Sequence, residues 1–328
     1  MHIPDNYISP STCATLGIAM VPIWRRASMK VKKELTRQKM PLLGICAAFS
    51  FLIMMFNIPL PGGTTGHAVG AALVAILLGP YSAVIAVTIA LAIQALFFGD
   101  GGILALAANC FNLAFVMPFT ASYIFKIIRD IFSSERGEYI GAFAAGYISL
   151  NIAALITAIE FGIQPLLFTD GAGLPLYSPY GLEIAIPAMM IPHLLVAGIL
   201  EGFVTAAVYG YVKKVSPDVI YRGNYKKIRP LYLLIISLIL LSPLGLLATG
   251  TAWGEWSPEE IGELTGFIPR GMENGFSFNA VMPDYSIIGI SELAAYILSA
   301  LAGVVLIFMV IKLLEKTGLR SKTQKVSK

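Results

Sequence analysis

The chain opens Met1-His2-Ile3-Pro4-Asp5 and holds three histidines in all, His2, His67 and His193. With Met1 kept as the first residue, three nitrogens fall within one short reach: the α-amine of Met1, the amide of His2 and the imidazole of His2. Amine and amide close a five-membered ring on one metal ion. Amide and imidazole close a six-membered ring on the same ion. An ion able to displace the amide proton would occupy three corners of a square. A planar nitrogen set favours Ni(II) or Cu(II) among the common divalent ions. The fourth corner is open to His67 or His193. A chain terminus frays unless something ties it down, so the rest of the sequence has to supply the elements that hold this one.

Those elements read as membrane helices. The 328 residues are 57% hydrophobic and 13% charged, with a mean hydropathy of +0.77, which excludes an ordinary soluble globular protein. Apolar runs near 12–24, 42–60, 68–78, 83–98, 103–125, 140–161, 182–212, 231–247 and 287–314 predict an all-α polytopic membrane protein of about nine membrane helices. The run 68–78 is too short to cross about 30 Å of hydrocarbon as a helix. It must be extended by its flanks or lie beside a loop buried in protein. The first five residues lack the positive region of a signal peptide.

Charge sets the expected orientation. Every lysine and arginine except Arg270 lies in four stretches: between runs one and two, five and six, seven and eight, and from the last turn of run nine onward. Nine alternating spans put all four on one side, which the positive-inside rule makes the cytoplasm. The N-terminus is then outside and the C-terminus cytoplasmic. The outer side also receives the loop before His67, residues 98–102, and an acidic loop with Glu255, Glu259, Glu260, Glu263 and Glu273. The basic excess is therefore orientation and not a nucleic-acid footprint, since no basic stripe with interleaved aromatics is present.

Two prolines and three glycines in residues 57–66 keep the approach to His67 out of regular helix. His67 then starts a helix on the same side as Met1. His193, in Ile191-Pro192-His193-Leu194, is expected at a depth the N-terminal strand does not reach. Gln94, Asn109 and Asn112 are amides inside helices and should face protein. With Asp5 and Asp100 they form the candidate outer shell of the site. Glu160, Glu183 and Glu201 are further polar groups in or near runs six and seven, and Glu201, the deepest, is expected to face the bundle interior. Cys13, Cys46 and Cys110 lie in apolar runs without a CxxC pair and read as packing residues. Cys13 and Gly17, four apart, suit close helix approach in lipid. Gly99-Asp100-Gly101-Gly102 is a sharp reversal that lacks the context of a phosphate-binding loop.

Three stretches carry a resemblance: MHIPDNYISP, GGTTGHAVGAALVAILLGPYSA, and IQALFFGDGG followed by AANCFN. They resemble the CbiM/NikM family, the substrate-specific membrane components of energy-coupling-factor transporters for cobalt and nickel. The resemblance covers residues 1–212 and implies a metal site at Met1, His2 and His67. It also implies a transmembrane coupling (T) component and ATPase (A) subunits as partners in the plasma membrane of a prokaryote. Two departures stand out. Asn6 replaces the usual glycine, and asparagine tolerates the left-handed backbone. Leu106-Ala107-Ala108-Asn109 lacks a glycine the motif usually carries. Residues 213–229 read as a basic cytoplasmic linker. Residues 230–328 resemble the two-helix extension fused to some members, similar in role to the small CbiN/NikN subunit. The expected function is capture of Ni²⁺ or Co²⁺ as transported substrate, with no catalytic cofactor and ATP hydrolysis in separate subunits. The alternatives are a membrane-embedded metalloenzyme, which lacks an HExxH or second His/carboxylate cluster, and a passive channel, which needs weaker sites than a four-nitrogen chelate.

Overall fold

The computed structural model describes residues 1–34, 39–221 and 228–326. Arg37 and Lys328, and residues 222–227 of the stretch read as a linker, lie outside the described residues. Ten helices and one hairpin carry the argument: α1 (Pro10–Glu34), α2 (Met40–Met54), β1 (Ile58–Leu60), β2 (Thr64–Gly66), α3 (Ala71–Leu78), α4 (Pro80–Phe98), α5 (Leu106–Phe132), α6 (Glu135–Gly162), α7 (Leu182–Val215), α8 (Arg229–Leu247), α9 (Pro258–Thr265) and α10 (Glu292–Lys316).

Every apolar run contains a helix, but they are not nine equal spans. Among the described residues, six helices are long and apolar enough to cross a membrane: α4 to α8 and α10. Helix α1 is 25 residues long with a basic second half. Helix α2 has 15 residues and α3 only 8. The reason lies between these last two. Residues 55–70 form the β1–β2 hairpin and a loop, and residues 64–70 are buried in protein. Irregular backbone at such depth persists only where protein groups satisfy it. Here Ser50 Oγ donates to Val69 O at 2.8 Å, and the Glu201 carboxylate accepts from Val69 N at 2.7 Å and Gly70 N at 3.1 Å. Gly70 sits at φ 72°, and a Cβ there would meet the Phe49 ring.

Helix α2 is buried around nearly its whole circumference, as expected of a helix apolar on all faces. Helix α10 closes on it at small residues: Gly44 faces Phe308, and Gly303 faces Phe51 so closely that a Cβ would lie 2.1 Å from the ring. Close approach at small residues is how helices pack in lipid, so α10 is part of the same packed body as α2. A Cβ added at Gly17 of α1 would lie 3.6 Å from the Ala107 Cβ, so the alanine in place of the motif's glycine leaves room for ordinary contact. The three cysteines are free and buried.

Three helices carry π turns: Gln94–Phe98 in α4, Cys110–Val116 in α5 and His193–Ala197 in α7. Such turns occur mostly as single insertions and often at functional sites. Each here carries a polar residue singled out from sequence: Gln94, Asn112 and His193. The opposite end of the bundle is charged, with Lys213 paired to Glu135 at 3.1 Å and Glu138 at 2.8 Å.

Candidate metal centre

The first ten residues form no helix, so their backbone groups need partners elsewhere. Asn109 supplies two: its Oδ1 accepts from Ile3 N at 2.7 Å and its Nδ2 donates to Ile3 O at 3.0 Å. Gly102 N also donates to Ile3 O, at 2.8 Å. The Asp5 carboxylate accepts from three successive amides, Ile103 N at 2.9 Å, Leu104 N at 2.7 Å and Ala105 N at 3.3 Å. That fixes the α4–α5 loop to the terminus, each net bond contributing about 0.5–1.5 kcal/mol, more to a charged group. Asn6 turns the chain at φ 68°, the left-handed conformation that asparagine adopts at low cost. Tyr7 OH donates to Trp256 O at 2.8 Å, and Ser9 N donates to Gln164 Oε1 at 2.9 Å. Burial raises the Tyr7 phenol above its ordinary pKa, so it stays a donor.

This anchoring carries Met1 and His2 inward, to 7% and 2% exposure. The Met1 amine lies 2.8 Å from Glu255 Oε1. His2 Nδ1 lies 2.6 Å from Asp100 Oδ1, yet neither ring nitrogen of His2 makes an aligned hydrogen bond. The His2 amide also donates no hydrogen bond among the described residues. A buried residue with three nitrogens in that condition is rare, because each such group costs about 1–3 kcal/mol. The His67 ring sits beside it, centroids 5.0 Å apart and planes tilted by 30°. His67 Nδ1 lies 3.1 Å from Ala68 O. A carbonyl only accepts, so Nδ1 carries the hydrogen and Nε2 keeps its lone pair.

Electrostatics keep the His67 ring in ligand form. Burial holds the His67 imidazole well below its ordinary pKa, and the nearby His2 ring and terminal amine lower it further. Burial pushes the Asp100 carboxyl up, but the His2 and His67 rings and the Tyr285 hydroxyl together outweigh that and leave the group below the usual carboxylate range. Gln94 Nε2 donates to Asp100 Oδ2 at 3.0 Å and to Tyr285 OH at 3.1 Å, and Tyr285 OH donates to the same carboxylate oxygen.

Met1, His2 and His67 thus come together, with Asp5, Asp100, Asn109 and Gln94 around them. Asn112 does not join them: its Nδ2 donates to Thr157 and Glu160 of α6, at 3.0 and 2.7 Å. His193 corrects one expectation. It does lie within reach of the terminus, because it and Met1 border the same small cavity. Three contributors escaped the sequence reading of the site. Glu201 was recognised as deep and inward-facing, but its grip on the His67 loop was not. Glu255 was one of five similar carboxylates, and Tyr285 had no distinguishing signal. Among the described residues no three His, Cys, Asp or Glu side chains form a metal-holding group. Two of the four nitrogens here belong to the main chain.

Fold and site together define a multi-pass membrane protein with a buried nitrogen-rich centre at one end of its helices. Residues 2–219 match the family described as the cobalt uptake substrate-specific transmembrane region, and residues 229–317 match the PDGLE domain. The chain belongs to the first family and carries the second domain fused behind it. It is 47% identical over 321 residues to a probable fused nickel transport protein of Lactiplantibacillus plantarum, across 95% of this chain and 97% of that one. It is 44% identical over 347 residues to a fused nickel transport protein of Rhodobacter capsulatus, across 99% of each chain. A transition metal transporter of known crystal structure shares 50% identity and superposes with a TM-score of 0.63, over 70% of this chain and 99% of that one. Membership makes the chain a membrane transport component and not an enzyme.

Proposed function

We propose that this chain is the substrate-binding component of an energy-coupling-factor transporter and that it captures Ni²⁺ or Co²⁺ from outside the cell. The ligands are the Met1 amine, the His2 amide nitrogen, His2 Nδ1 and His67 Nε2. The observation that carries this reading is the buried His2, whose amide and ring nitrogens lack aligned partners beside a second imidazole with a free lone pair. The four nitrogens suit a planar field, and that geometry favours nickel over cobalt. The chain has no nucleotide motif, so a T component and A subunits supply the driving force, and the bundle end carrying the chelate faces outward. The names of the relatives, fused nickel transport proteins, support the same cargo.

Binding requires an exchange at the terminus. The amine leaves Glu255 as an ammonium and joins the ion as a neutral donor, while the amide gives up its proton to the ion. Metal analysis of the purified chain, with calorimetry in buffers of different ionisation enthalpy, tests this. One nickel or cobalt per chain, with more than one proton released, is expected. Displacement by excess Mg²⁺ would instead assign an oxygen-lined site.

A further inference from the structure

Glu201 is 0% exposed and lies within the α7 span. Among the described residues no basic side chain pairs with it. A carboxyl so placed is costly unless hydrogen bonds satisfy it, and main-chain amides do so. Its Oε2 accepts from Val69 N at 2.7 Å, and both of its oxygens lie 3.1 Å from Gly70 N. Gly70 is left-handed at φ 72°. Successive N–H groups leading into such a residue form a concavity for an anion.

Val69 N belongs to the same peptide group as Ala68 O. A trans peptide is planar and points its N–H and C=O in opposite directions, so pinning one end aims the other. The Ala68 carbonyl is aimed at His67 Nδ1, 3.1 Å away. The next peptide is also held at both ends, with Gly70 N on Glu201 and Val69 O accepting from the Ser50 hydroxyl at 2.8 Å.

We propose that Glu201 is a positioning residue for the captured ion: through the Ala68–Val69 peptide it orients the carbonyl that holds His67, and so keeps Nε2 at the fourth corner of the chelate. This inference rests on the proposed function. Glu201 itself touches no ligand atom. Its effect runs through two hydrogen bonds in line, from Val69 N–H to the carboxylate and from His67 Nδ1–H to the Ala68 carbonyl. In a low-dielectric interior such bonds polarise one another. That strengthens the hold on Nδ1–H and makes the Nε2 lone pair more basic. Metal-bound imidazoles commonly meet a carboxylate or a carbonyl at their other nitrogen. Here one peptide group stands between the imidazole and the carboxylate.

A double-mutant cycle separates positioning from support of the fold, because residues that act through one another are non-additive. Nickel affinity is measured by calorimetry on the purified full chain. Glu201→Leu is expected to weaken binding about 10-fold, with one ion still bound per chain. In a His67→Ala background the same substitution is expected to change affinity by less than about twofold. Glu201→Gln keeps an oxygen that accepts from Val69 N and is expected to stay within about threefold of wild type. The visible absorption of bound Ni²⁺ reports the fourth donor, and in Glu201→Leu it is expected to move toward the His67→Ala spectrum. Should Glu201→Leu fail to accumulate, Glu201→Asp, a methylene short of Val69 N, takes its place in the cycle with the same expectations. Wild-type affinity in Glu201→Leu overturns the proposal. So does an equal fold loss in both backgrounds, which would make Glu201 a support of the fold alone. Equal losses in Glu201→Leu and Glu201→Gln, or a wild-type spectrum in Glu201→Leu, overturn it as well. An unchanged affinity in His67→Ala would sink the chelate itself, an outcome distinct from all of these.

Discussion

Two irregular segments meet at the metal centre, and they are built in opposite ways. Residues 1–9 are short, and most are buried, held by Asn109, Asp5, Gln164 and the amides of the α4–α5 loop. The stretch between α8 and α10 is long and largely exposed, with Phe276, Phe278, Val281 and Ile288 open to the surroundings. It brings two side chains to the centre, Glu255 on the amine and Tyr285 on Asp100. In the proposed site the first segment would supply ligand atoms, whose position must be right to a fraction of an ångström. The second supplies charge and hydrogen bonds to groups already placed. Precision thus resides in the segment whose main chain is anchored, and the exposed loop modulates it.

The comparison can be broken first at the terminus. One extra residue ahead of Met1 converts the amine to an amide and opens the five-membered ring. Nickel affinity should then fall by more than about 100-fold, beyond the ~10–100-fold typical of losses outside the ligand shell. Calorimetry on the extended chain decides it, and wild-type affinity with unchanged stoichiometry would remove the amine from the ligand set. His67→Ala comes next, since three nitrogens remain and water takes the fourth corner. A fall of about 100-fold is expected, at the upper edge of the same range.

Asp5→Ala tests the anchoring alone. It touches no ligand atom but leaves three amides of residues 103–105 without their acceptor. Affinity should fall about 10-fold with stoichiometry kept. An effect as large as that of the extra residue would mean that Asp5 itself holds the ion.

Glu255→Gln should do least. A Ni²⁺ ion bound to an ionised amide carries one net positive charge, the same as the ammonium it replaces. Glu255 therefore meets similar charge before and after binding, and affinity should move less than about threefold, or ~0.7 kcal/mol. A tenfold change would make the exposed loop a direct contributor to the ion's coordination.

Acidity offers a graded version of the same test. Burial keeps His67 neutral well below its ordinary pKa, so His67 is not where protons compete with the ion. Affinity should fall on acidification by more than one proton per ion, because the ion displaces protons from its ligands. His67→Ala should leave that slope unaltered above about pH 6.5, the reference value for histidine. A slope that flattens in the variant would show His67 titrating with the site.

Much of this was legible in the sequence because it depends on local chemistry. That Met1-His2 can offer five- and six-membered chelate rings follows from covalent geometry. The membrane class follows from apolar run length, and the left-handed turn at Asn6 from the steric tolerance of its side chain. The short run before Gly79 already required either an extension by its flanks or a buried loop beside it. Other features join residues far apart in the chain. Glu201 reaches the His67 loop across 132 residues, and Glu255 reaches Met1 across 254. Nothing in an isolated acidic loop distinguishes Glu255 from Glu259, because which carboxylate meets an ammonium is settled by packing. The same is true of His193. Its depth along α7 could be counted from the sequence, but how far the N-terminus descends beside it could not. That descent is fixed by Asn109 and Asp5 gripping the backbone of the α4–α5 loop and of Ile3, contacts that exist only once the helices have packed.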